Sequence, residues 1–113
     1  MLSELLIEDI CKFIATSIDS AEAVIDEKAI PISILRIDTG KDIVKVFTNA
    51  NDGKGTITDI KLLDKNKKVL ISRPEMIIKD NSFGLVSTFY IRIKEFENVN
   101  PINIFSADGK GDA

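Results

Sequence analysis

The chain has 113 residues, 44% of them hydrophobic and 29% charged, with a net charge of −3. That is the size and balance of one globular domain around one core, large enough to fold without staples, and it excludes a disordered or collagenous chain. A single cysteine, Cys11, excludes an internal disulfide and a multi-cysteine metal cluster, and the lack of histidine removes the commonest general base and metal ligand.

The first element is a helix. Leu2, Leu6, Ile10, Phe13, Ile14 and Ile18 recur at three- and four-residue steps, the period of one apolar helix face. Ser3 is placed to cap it, and Glu4, Glu8 and Asp9 sit where the helix dipole favours acids. Cys11 falls beside Ile10 and Ile14, where it reads as a small packed hydrophobe, because no histidine is present to activate its thiol. The helix is expected to end between Thr16 and Ser20, with Ala21 to Ile25 as an alternative extension. Residues 1–20 thus form a helix, 21–95 an antiparallel β domain and 96–113 an extended C-terminal tail.

Beyond residue 28 the period changes to two. Ile30, Ile32 and Ile34 alternate with Pro31, Ser33 and Leu35, and Pro31 restricts its position to a strand start or an edge. Asp38-Thr39-Gly40-Lys41 reads as a tight turn, Asp42 to Thr48 as a second strand and residues 49–55 as a loop. Thr56 to Asp64 reads as a third strand whose phase slips between Ile57 and Ile60, the mark of a bulge. A turn over Asp64 to Lys68 leads into Val69 to Ser72. Arg73-Pro74 is expected to break that strand, with Met76 to Lys79 as a separate short edge. Gly84 to Glu95 alternates most clearly: Leu85, Ser87, Phe89, Ile91 and Ile93 face one way, and Val86, Thr88, Tyr90, Arg92 and Lys94 the other. Short turns between successive strands favour antiparallel pairing. The expected fold is mainly β with one N-terminal α-helix, an antiparallel β-sandwich-like domain with the helix docked at or projecting from one end.

Charge is segregated along the chain. Residues 1–29 carry seven acids against Lys12 and Lys28, residues 30–94 carry twelve bases against seven acids, and the last nineteen carry four acids against Lys110. An acidic front, basic middle and acidic tail can attract one another within a chain or between copies. The helix stripe is longer than capping one end of a small β domain requires, and Pro101 to Phe105 is an apolar patch in an otherwise polar tail. Leu2, Leu6, Ile10, Phe13, Ile102, Ile104 and Phe105 are therefore the candidate protein-interface residues.

Other chemistry finds little support. Asp52-Gly53-Lys54-Gly55 recurs as Asp108-Gly109-Lys110-Gly111, but neither copy has phosphate-loop spacing, and both are turn sequences. Asp108 and Asp112 are too few oxygens for calcium. Asp59 with Asp64 and Glu95 with Glu97 read as solvated carboxylates, not as a tuned acid–base pair. Tyr90, Arg92 and Lys94 share a strand face that could stack single-stranded nucleic acid, yet the sequence pI of 4.9 is far from the basic footprint of a phosphate binder. No apolar run approaches the ~20 residues that span a bilayer, and Met1-Leu2-Ser3-Glu4 is not the basic opening of a signal peptide. The expectation is a non-enzyme with no cofactor, no metal, no nucleic-acid partner and no membrane insertion. The alternatives are a small single-strand nucleic-acid-binding β domain and a carbohydrate-binding module.

One stretch is similar to a known pattern. Gly55-Thr56-Ile57-Thr58-Asp59-Ile60-Lys61-Leu62-Leu63-Asp64 through Val69-Leu70-Ile71 resembles the ITE-x-GLFD strand–turn–strand of bacteriophage tail-fibre and baseplate-associated structural proteins, with Gly84 to Glu95 standing for their long final strand. Lys61 replaces the usual glycine, and Asn66-Lys67 replaces an acidic-glycine turn. The resemblance covers roughly 40 residues. It implies a structural virion component at the baseplate, collar or fibre attachment of a phage or phage-tail-like particle. Its partners would be other copies of itself and other tail or baseplate proteins, and it would be made in the bacterial cytoplasm. The pattern is structural and carries over no catalytic or binding residue.

Overall fold

The structure, a computed structural model, describes residues 1–51, 53–80 and 84–95. One helix, α1 (Glu4–Ser17), precedes six strands: β1 (Ser20–Ile25), β2 (Lys28–Thr39), β3 (Ile43–Ala50), β4 (Gly55–Leu63), β5 (Val69–Lys79) and β6 (Leu85–Arg92). The strands form one sheet in the order β5-β4-β1-β2-β3-β6, and every neighbouring pair is antiparallel.

The helix begins where Ser3 Oγ accepts from Leu6 N at 3.1 Å, satisfying one of the orphan donors of the first turn. It ends at Ser17, because Ile18 turns extended to bury its side chain and Asp19 N donates to Leu63 O at 2.8 Å. The alternative helical extension over Ala21 to Ile25 is a strand instead. Ala21, Ala23 and Ile25 alternate into the core while Glu22 and Val24 lie between them. Alanine reads as a helix former, but here its small size suits a central strand facing the larger Ile57, Ile60 and Leu62.

The sandwich is replaced by a single coiled sheet that nearly closes into a barrel. The cause lies in β2, which changes neighbour along its length. Lys28 to Ile32 pair with β1, and Ser33 to Thr39 pair with β3. Pro31 lies before this handover, where β2 has a ladder on one side only and a missing N–H is tolerated. The β2–β3 register slips around the exposed Leu35, and Thr58 of β4 is skipped by both β1 and β5. Each bulge adds bend and twist to a strand, so a ladder that would lie in two flat layers curls instead. The slip expected between Ile57 and Ile60 is thus a bulge at Thr58. Arg73-Pro74 does not end the preceding strand: β5 runs unbroken through it, since an edge strand needs no donor on its outer side.

The inner face carries Val44, Val46, Ile57, Ile60, Leu62 and Phe89, all almost inaccessible to solvent. Each such side chain contributes roughly 1.5–3 kcal/mol over exposure. Leu85, Ser87, Phe89, Ile91 and Ile93 all lie on the less exposed face of the β6 segment, as the alternation predicts. Helix α1 packs against β2 and β3 and adds Cys11 and Ile18 to the core. Among the described residues no helix is long and apolar enough to cross a membrane.

Candidate functional site

Helix α1 is apolar over more than one face. The face against the barrel is Ile7, Cys11 and Ile14, stepped by four and three residues and continued by the extended Ile18 just past the helix; Cys11 has no accessible surface. The expected stripe is rotated relative to this one. Ile14 and Ile18 belong to the buried face and Ile10 is half-buried, but Leu2, Leu6 and Phe13 point into solvent, as does Leu5, which lies off that stripe. Phe13 is 71% exposed and Leu5 68%, values that mark side chains without a partner surface in the monomer. Of the candidate interface residues, Leu6, Ile10 and Phe13 therefore line the outer and lateral side of α1, and Leu2 lies exposed just before it. Ile102, Ile104 and Phe105 lie outside the described residues.

Cys11 faces the barrel with its thiol pushed up from the ordinary range by burial, reinforced by the Asp42 and Glu8 carboxylates. A thiol held in its neutral form is a poor nucleophile.

A second feature was not legible in the residue pattern. The outer strands β5 and β6 approach each other across the barrel, yet among the described residues no backbone ladder joins them. Arg73 spans the seam. Its Nη1 donates to Thr88 O at 2.6 Å, its Nη2 donates to Ser87 Oγ, and its guanidinium lies 4.4 Å from the centre of the Phe89 ring. Glu75 Oε2 stands 3.2 Å from Nε. Behind the seam, the buried Thr48 Oγ1 donates to Ser87 O at 3.2 Å, so a polar strip runs from β3 through β6 to β5. In the sequence Arg73 precedes proline, a pairing that reads as a strand break. Its alternation with Ile71 on an edge strand was the available signal.

Beside this seam lies an apolar groove of about 320 Å³, lined by Phe13, Ile14 and Ile18 of the helix segment and Leu70, Ile71 and Ile91 of the edge strands, with Ser17 its one polar lining residue. Farther along β5, Met76 and Ile78 are exposed on the outer face, as is Val86 on β6.

The acids considered for catalysis hold turns and strands together. Ser72 Oγ donates to both Asp59 oxygens at 2.7 and 2.9 Å, and Asp64 Oδ1 accepts from Asn66 N and Lys68 N at 2.8 and 2.9 Å. Glu95 Oε1 accepts from Leu2 N at 2.7 Å; Glu97 lies outside the described residues. Tyr90, exposed on the outer face with Arg92 and Lys94, has the Lys45 ammonium 6.0 Å from its ring centre. Among the described residues no three potential metal ligands cluster. Gly53 and Lys79 meet where Lys79, a residue only 2% exposed, donates from its ammonium to Gly53 O at 2.6 Å. The second copy of that repeat, residues 108–111, lies outside the described residues, as does the tail as a whole.

The chain matches no protein-family model, no curated protein and no solved structure.

Proposed function

We propose that this chain is a non-enzymatic structural component of a phage or phage-tail-like particle, placed at the baseplate, collar or fibre attachment and acting through repeated protein–protein contacts. The observation that carries the reading is the group of solvent-facing apolar side chains Leu5, Leu6 and Phe13 on α1, with Leu2 just before its first turn. A monomer gains nothing from displaying them, whereas a neighbouring copy or particle protein that covers them gains about 25 cal/mol for each Å² buried. The stretch that resembles the tail-fibre pattern forms a bulged strand, a tight turn and a returning strand in β4 and β5, which supports the structural side of that resemblance. Identical copies around a ring or fibre need only weak contacts, because each one gains from the effective concentration of the rest.

The test is to replace Leu2, Leu5 and Leu6 together with glutamate and to purify particles from cells making the variant. The expected result is a folded protein, by circular dichroism, with particle occupancy reduced at least tenfold. Normal occupancy, or a wild-type protein that remains monomeric and never associates with particles, overturns the proposal.

A further inference from the structure

We propose that the outer face of the β2–β3–β6 half of the sheet binds a single-stranded nucleic acid, with bases stacking on the Arg36–Phe47 pair and on Tyr90 while the cations beside them meet phosphates. The bulge in β2 builds this face. Ile34 and Arg36 are two residues apart and would share one side of a regular strand. The register slips at Leu35, so Ile34 pairs with the buried Thr48 on the inside and Arg36 with Phe47 on the outside. The Arg36 guanidinium then lies 4.5 Å from the centre of the Phe47 ring, and Asp38 Oδ2 accepts from its Nε at 2.9 Å, which holds the planar group over the ring. In the next row Asp38 pairs with Lys45, and Lys45 with Tyr90, a residue 68% exposed.

Spacing and charge select the partner. Phe47 pairs with Thr88 and Lys45 with Tyr90, so Phe47 and Tyr90 are diagonal neighbours on one face, ~7–8 Å apart by strand geometry. That is about twice the ~3.4 Å step of a stacked strand, so the two platforms suit bases splayed apart, which a single strand permits and a duplex does not. Bases stack on aromatic rings and on guanidinium planes alike. Arg92 and Lys94 follow Tyr90 along the same face, which sets four cations with Arg36 and Lys45 against Asp38, itself engaged with Arg36. The whole-chain pI of 4.9 averages this face with the seven acids of residues 1–29 and so does not describe it. A neutral sugar would cover the rings but leave the cations unmatched.

The inference is independent of the particle reading, because it uses no side chain of α1 and is tested on the isolated protein. The probe is a fluorescein-labelled oligothymidine of about 12 nucleotides, within the site size of a small β domain, followed by anisotropy. The expected result is saturable binding at ~50 mM salt, with log K falling by about 2–3 per tenfold rise in salt, at ~0.7 for each phosphate contacted. Affinity should fall at least ~fivefold in Tyr90→Ala and in Arg36→Ala, whereas Tyr90→Phe, which keeps the ring, binds as wild type does. Arg92→Ala should lower the salt slope by about 0.7. All four substitutions change exposed side chains, and circular dichroism should show each variant folded. Absence of binding at low salt overturns the proposal, and so does a Tyr90→Ala variant that binds as tightly as wild type. Equal affinity for a duplex of the same length also overturns it, because charge without stacking would then account for the binding.

Discussion

Replacing Arg73 with alanine asks whether one side chain holds the barrel's open side. The guanidinium makes two hydrogen bonds across the seam, and a hydrogen bond from a charged donor contributes ~1.5–3 kcal/mol. Its stacking on Phe89 adds ~0.5–2 kcal/mol. The side chain keeps 34% of its exposure, so solvent screens these terms and the lower ends apply, for a loss of about 3 kcal/mol. The ion pair with the more exposed Glu75 adds at most ~0.5 kcal/mol. At about 4 °C per kcal/mol for a chain of this size, the melting temperature should fall by roughly 12 °C. Arg73→Lys keeps the charge without the planar fork and should recover less than half of the loss. Urea unfolding measures the change in stability, and amide exchange over Ile71 to Ile77 should quicken more than exchange in β1. A loss below about 1 kcal/mol, or equal acceleration in both strands, refutes the argument.

Phe89→Asp should cost about 4 kcal/mol or more by truncating a core ring and burying a charge, while Tyr90→Ala, on the exposed face, should cost under ~1 kcal/mol; equal thermal shifts would contradict the facing of β6. Gly55→Ala should cost ~2–3 kcal/mol, since Gly55 has φ of +137° and a Cβ there would stand 2.2 Å from Asp26 Oδ2, displacing the carboxylate that accepts from Thr56 N. Adding Asp26→Ala should recover part of that loss in urea unfolding, and full additivity would show that the contact is not the cause. For Cys11 the folded thiol titrates above the unfolded one, so its contribution is fully present below ~8.5, the unfolded value, and is lost as pH rises through the folded value. Cys11→Ala removes that dependence, and the stability difference between wild type and variant should shrink between pH ~7 and ~10 in parallel urea titrations.

The strands most readily read from the residues were those whose alternation is set by isoleucine and valine against polar neighbours, because burial on one face leaves a period-two trace that tertiary packing does not erase. The bulge at Thr58 was legible for the same reason: one extra residue separates two inward isoleucines. Strand β1 was not, since Ala21 and Ala23 carry no β preference and owe their place to the narrow interior opposite β4. The buried face of α1 is rotated from the expected stripe, because Ile7–Cys11–Ile14–Ile18 and Leu2–Leu6–Phe13 are both helically spaced. Only the barrel decides which is covered. Arg73 at the seam belongs to the same class of contact, bringing together residues whose proximity depends on how the whole sheet coils.

The strand order also sets an order of assembly. β1, β2 and β3 are consecutive neighbours, as are β4 and β5, so both units close short loops and lose little entropy in forming. The joins between β1 and β4 and between β3 and β6 bring together residues roughly 40 apart, such as Ala21 with Leu62 and Val46 with Phe89, and these set the folding rate. A chain of this kind should fold slowly for its size, with the β1–β3 meander formed in the transition state and β6 added late. Mutations at Val44 should then slow folding, while those at Ile91 should chiefly speed unfolding, and stopped-flow measurement of the two variants distinguishes the cases. Late arrival leaves the outer edge of β3 briefly bare during every folding event, and a bare strand edge beside another copy invites exchange of β6 between chains.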